Sequence, residues 1–129
     1  MAFEVLEVAV QMVGALRETL SVLGRRDPDL ARQVRRAAAS VALNIGEGRR
    51  RHGKDRIHLW RVAAGSADEV ASALRVTEAF GYLRGSDVVA PLNLCDRVLA
   101  MLWRLTHPGA SPLLTPSRPS PLPSSQARR

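Results

Sequence analysis

The stretch "ASVALNIGEGRRRHGK", residues 39–54, holds the densest set of residues able to do chemistry: two glycines around a glutamate, three arginines, a histidine and a lysine. Glycines followed by a Gly-Lys pair could cradle phosphate. A nucleotide-hydrolysing loop needs a strand before the glycines and Gly-Lys-Ser or Gly-Lys-Thr opening a helix. Here a helical pattern precedes them. Gly53-Lys54 is followed by Asp55, which lacks the hydroxyl that would hold magnesium. Nucleotide hydrolysis is therefore excluded.

A second set is polar and periodic. Ser40, Asn44 and Glu47 are spaced four and three apart, and Ser66 and Glu69 three apart. Each set lines one strip of a helix. Buried amides and hydroxyls need partners, because an unsatisfied one costs roughly 1–3 kcal/mol. These residues are expected to form a polar seam between two helices, with Arg36 as a counter-ion. Its role would be to fix register, as a buried polar residue does in a coiled coil. Catalysis would need a nucleophile with a base beside it, and no histidine is placed for that. His52 and His58 are six apart, on different helical faces and without a carboxylate cluster, so no metal site is expected. Cys95 is the sole cysteine; it excludes an intramolecular disulfide and a cysteine-based metal site, and reads as a small buried hydrophobe.

The third set is cationic. Residues 25–61 carry eleven arginines and lysines against four acids, while the last 23 residues add three arginines and no acid. The remaining body is mildly acidic. A local positive field on such a body points to an anionic partner. Arg32, Arg35, Arg49, Arg50, Arg51, Lys54 and Arg56 are the candidate phosphate contacts, running along one helix and over its end. With neither a helix-turn-helix signature nor an aromatic platform, binding should be sequence-tolerant and strongly salt-sensitive. The alternative is an interaction scaffold whose basic surface meets an acidic protein.

Four amphipathic helices must position these residues. The first is expected over about 3–23, with Val5, Ala9, Met12, Leu16, Leu20 and Leu23 on its inner face and Gly24 as a stop. Asp27 caps the second and Pro28 occupies its first position. That helix should end near Glu47, with Gly48 stopping it. Leu30, Val34, Ala37, Val41 and Ile45 form its core stripe. Ala39, Ala42, Leu43 and Gly46 form a second apolar arc, read as a subunit interface because a small bundle has one interior only. The third helix spans about 54–80, with Leu59, Ala63, Ser66, Ala67, Val70, Ala73, Leu74 and Thr77 on one face, and Gly81 breaks it. The fourth spans about 88–106, capped by Ser86 or Asp87, with Pro91 in its first turn. Short links make consecutive helices antiparallel, giving an all-α, up-down-up-down four-helix bundle over residues 1–106. From His107 the chain is rich in proline and serine without periodicity and is expected to be disordered.

Length agrees with one domain: 129 residues, 46% hydrophobic and only 4% aromatic, so the core is aliphatic. No apolar run reaches the ~18 residues of a membrane span. The opening residues carry Glu4 and Glu7 where a signal peptide would be basic. A cytoplasmic, membrane-free protein without cofactor is the expectation.

"VRRAAASVALNIGEGRRR" followed by "HLWRVAAGSADEVASALRVTEAFGYL" resembles the small four-helix-bundle proteins encoded within large-subunit rRNA intervening sequences. The accessory variability determinant proteins of diversity-generating retroelements share that superfamily. The pattern R-R-A-x-x-S-x-x-x-N-I-x-E-G falls on Arg35 to Gly48. The later G-S-x-x-E and G-Y-L fall on Gly65, Ser66, Glu69, Gly81, Tyr82 and Leu83. The chain departs in having Ala42 where a proline often stands and in lacking the usual "WQKA" opening. The resemblance implies a homopentameric bundle, and the intervening-sequence members have no established enzymatic activity. For the accessory members it implies a basic surface that binds nucleic acid and a reverse transcriptase.

Overall fold

The computed structural model describes residues 2–109. The predicted tail lies almost wholly outside the described residues. Among them the chain forms five helices: α1 (Ala2–Ala15), α2 (Arg17–Arg26), α3 (Pro28–Arg49), α4 (Gly53–Ala79) and α5 (Gly85–Thr106). No strand occurs among the described residues. The fold is all-α, and the packing closes a ring: α3 on α4, α4 on α5, α5 on α1, and α1 and α2 together on α3.

The expected first helix is two. Leu16 separates α1 from α2 while keeping right-handed helical angles, and its N–H bonds the Val13 carbonyl at 3.1 Å. That three-residue bond overwinds the chain locally. The inward phase advances, so Thr19 rather than Leu20 is buried after it. Buried Val5, Ala9, Met12, Leu16, Thr19 and Leu23 still follow one face across the break, so the two segments do the work of one rod.

The start of α3 follows local chemistry. The Leu30 N–H donates to Asp27 Oδ1 at 3.1 Å, and Pro28 sits where no N–H is needed. At the end of α4, Gly81 adopts φ +80, which an L side chain resists. Tyr82 N–H then reaches the Thr77 carbonyl at 3.0 Å and Gly81 N–H the Glu78 carbonyl at 2.9 Å, the crossed pair of a Schellman end. α5 starts earlier than expected. Asp87 is not its N-cap but its third residue, accepting the Arg84 N–H at 3.0 Å through Oδ2. Pro91 consequently lies inside the helix, beyond its first turn, where it removes one ladder bond. It is buried.

The core is aliphatic. Met12, Leu16, Leu23, Ile45, Leu74 and Leu102 are its largest fully buried side chains, each worth about 1.5–3 kcal/mol by burial. The buried residues of α3 and α4 include many small ones: Ala31, Ala37, Ala38, Ala63, Ala67 and Ala73. These let the two backbones approach closely enough for short polar side chains to meet.

Candidate functional site

The joint between α3 and α4 is built around a tryptophan. Trp60 is 4% exposed, and its Nε1–H donates to the Ile45 carbonyl at 3.2 Å. A Cβ on Gly48 would lie 2.6 Å from that nitrogen. Gly48 is therefore not the stop of α3: the helix runs on to Arg49, and Gly48 is the buried position where the indole meets backbone. Arg56 completes the joint. Its Nε–H donates to the Gly48 carbonyl at 3.1 Å and its Nη2–H to the Arg49 carbonyl at 3.0 Å, while the guanidinium lies 5.3 Å over the Trp60 ring. The last carbonyls of a helix lack intrahelical partners; Arg56 serves both, and the Arg51 N–H also reaches the Gly48 carbonyl at 3.0 Å. Trp60 was absent from the predicted core face, though it stands three residues before buried Ala63 and seven before buried Ala67. That spacing is the signal that could have found it.

With the capping done by Arg56, the other cations of this joint are displayed. Arg49, Arg50, Arg51 and Lys54 are exposed. Arg51 Nε lies 3.4 Å from Glu47 Oε2, an exposed pair worth little. Arg32 pairs with Asp29, and Arg35 is exposed further along α3. At 1.5 Å per residue, Arg32 and Arg49 are about 25 Å apart along the helix, so the cations form two groups.

Between the two groups lies the apolar arc. Ala39 and Leu43 are exposed, Leu43 at 70%, and Ala42 and Gly46 are half-buried. At 100° per residue, Arg32, Ala39, Leu43, Gly46 and Arg50 fall on one line of α3. An exposed leucine on a small-residue strip is thus bracketed by arginines.

The polar seam is smaller than expected. Ser40 and Ser66 meet across the helices, Oγ to Oγ at 2.7 Å. Asn44 Nδ2–H donates to Ser40 Oγ at 3.0 Å and to the Ser40 carbonyl at 2.9 Å. Asn44 is half-buried and acts within its own helix, so the inter-helix link is hydroxyl to hydroxyl. Glu47 turns to Arg51. Arg36 and Glu69 are exposed and face an open cleft of about 600 Å³ shared with Asp29, Arg32, Gln33 and the two serines.

A larger cleft, about 990 Å³, lies where α4 begins and α5 ends, lined by Lys54, His58 and Arg61 above Ile57, Trp60 and Leu105. His52 precedes α4 and makes no side-chain cap. His107 stacks on Trp103 with ring centroids 4.2 Å apart. At the opposite end Phe80 stacks on Tyr82 at 5.2 Å with Arg26 5.9 Å over the Tyr82 ring, an aromatic group the sequence pattern did not reveal. The Thr106 hydroxyl, 3.2 Å from His107 Nδ1, is buried and donates to the Leu102 carbonyl at 2.8 Å, which leaves it no freedom to attack a substrate. Among the described residues no cluster of histidine, cysteine and carboxylate could hold a metal, and no helix is long and apolar enough to cross a membrane.

Comparison with known proteins places this geometry. A family model described as 23S rRNA-intervening sequence protein matches residues 2–104. No curated protein matches significantly. A crystal structure of a protein of unknown function from the S23 ribosomal protein family of Bacteroides thetaiotaomicron superposes with a TM-score of 0.72 at 16% identity. The match covers 79% of this chain and 97% of that one; at that identity it speaks for the fold.

Proposed function

The chain belongs to the 23S rRNA-intervening sequence protein family, and from that premise we propose that it is a non-enzymatic, oligomeric helical bundle whose basic surface binds nucleic acid, alone or beside a nucleic-acid enzyme such as a reverse transcriptase. The observation that carries the reading is the division of labour at the α3–α4 joint. Arg56 caps backbone carbonyls, and Arg49, Arg50, Arg51 and Lys54 stand exposed within six residues of chain, Arg51 beside Glu47. Four cations held side by side repel one another, and an adjacent polyanion relieves that repulsion while releasing its own counter-ions. Arg32 and Arg35 extend the surface along α3.

Assembly is the second part of the reading. The strip of Ala39, Ala42, Leu43 and Gly46 offers a second copy a close approach, with Leu43 as its apolar anchor. Five copies would join the arginines flanking each strip into a continuous positive belt; the number comes from the family resemblance.

Titration of the full chain against mixed RNA and DNA at two salt concentrations tests the electrostatic mechanism. Affinity should fall steeply as salt rises, with a log–log slope of about −0.9 per phosphate neutralised on a duplex. Affinity indifferent to salt would end that mechanism. Partners that stay bound to the protein after nuclease treatment would shift the reading to an acidic protein surface.

A further inference from the structure

Two clefts open on the bundle, one between α3 and α4 and one between α4 and α5, and their linings differ in kind. The smaller one mixes Arg32 and Arg36 with Asp29 and Glu69, so its charges balance and it does not select an anion. The larger one carries Lys54, Arg61 and His58 and no carboxylate, over a floor of Ile57, Leu105 and Trp60. The polar atom of Trp60 is already committed to the Ile45 carbonyl, so the indole offers carbon alone. The cleft volume of about 990 Å³ is that of sites which take small organic ligands.

A cationic rim over an apolar floor fits a ligand with a flat apolar face and an adjoining negative charge. An unpaired nucleotide has both. A duplex does not: its bases are stacked inside, and it could touch only the rim. We propose that this cleft seats one nucleotide of a single strand, its base on the Ile57–Leu105 floor and its phosphate against Lys54 and Arg61. This deepens the reading of the basic surface as a nucleic-acid surface and rests on it. It also assigns to Ile57 and Leu105, which are half-buried, a role in choosing unpaired strand over duplex. The floor contributes binding that salt does not screen, so the preference for single strands should grow as salt rises.

The test compares a labelled ten-nucleotide oligoadenylate with a ten-base-pair duplex on the full chain, wild type and Ile57→Ala/Leu105→Ala. Both substitutions are uncharged and leave every cation in place. The double variant should bind the oligoadenylate about tenfold more weakly, the range of one lost base contact, with the duplex changed less than twofold and the helical circular dichroism intact. Because the chain has two tryptophans, Trp103→Phe leaves Trp60 as sole reporter, and the oligoadenylate should change its emission at saturation. Equal losses for both nucleic acids, no loss for either, or a silent Trp60 at saturation would each overturn the proposal. So would tighter binding to anionic phospholipid vesicles than to the oligonucleotide, lost in the same double variant. A wild-type chain that binds duplex but not oligoadenylate would remove the cleft and leave the basic surface standing. Binding to neither would remove both.

Discussion

The hydroxyls of Ser40 and Ser66 touch at 2.7 Å across α3 and α4, and Asn44 donates to Ser40 from behind. Ser40 Oγ accepts the Asn44 amide, so its own proton is available for Ser66. Either hydroxyl can donate across the gap, since Ser40 Oγ has a second lone pair for the Ser66 proton. The link joins the two longest-packed helices at a point where alanines set the spacing.

Removing either serine hydroxyl should cost about 1 kcal/mol, the usual net worth of such a bond plus a share of the stranded partner's desolvation. Removing both should cost less than the two single losses together, because neither serine is then left facing a missing partner. Urea unfolding of Ser40→Ala, Ser66→Ala and the double variant, at fixed protein concentration, gives the coupling energy directly. Strict additivity would show that the contact contributes nothing to stability.

Gly48→Ala should destabilise the fold, although alanine is the better helix former by about 1 kcal/mol. The new methyl would sit 2.6 Å from Trp60 Nε1 and 2.7 Å from Cδ1. The indole has to yield, and overpacking of this kind costs about 1–3 kcal/mol. The hydrogen bond to Ile45 goes with it. A lowered melting temperature with altered tryptophan emission is expected; a variant as stable as the parent would mean that the indole relocates at no cost.

Arg56 and its neighbours should separate cleanly under mutation. Arg56→Ala removes the guanidinium from the Gly48 and Arg49 carbonyls, leaving Gly48 only the Arg51 N–H, and bares one face of Trp60, so it should lower stability by about 1–2 kcal/mol. Lysine cannot present the same fork to both carbonyls, and Arg56→Lys should recover only part of that. Arg50→Ala and Lys54→Ala should leave the melting temperature nearly unchanged. Each should instead lessen the salt slope of duplex binding by about 1. Thermal melts and salt titrations on the four variants check the partition.

What could be read in the sequence was whatever depends on near neighbours. Asp27 with Pro28 announces a helix start, and Gly81 an end, because capping chemistry is complete within a few residues. Gly48 could not be read that way. Its neighbours make it look like a stop, and only the approach of Trp60, from the next helix, explains it. Arg56 failed for a related reason: residue type reports a charge, and the carbonyls that use it are seven and eight residues away on another helix. The seam was half legible. Spacing put Ser40 and Ser66 on facing strips, but whether Arg36, Glu47 and Glu69 join them depends on how far α3 and α4 stand apart at each level, which spacing does not encode. Pro91 inside α5 shows tertiary packing overriding a local rule.

The exposed arc of α3 gives the last prediction. Leu43 is 70% exposed, and a single exposed leucine needs no explanation. Its line does: Ala39 and Gly46 flank it at spacings of four and three, so nothing bulky guards it, while Arg32 and Arg50 close the two ends. A partner helix could come within the 8–10 Å of close packing there. Leu43→Asp should therefore dissociate the assembly without unfolding the chain, because the side chain touches little of its own bundle. Light scattering should give a multiple of the 14.1 kDa chain mass for the parent and the single-chain mass for the variant, with unchanged helical circular dichroism. A parent that is monomeric at micromolar concentration would remove the strip as an interface. A variant that keeps the parent's mass would place the interface elsewhere on the bundle.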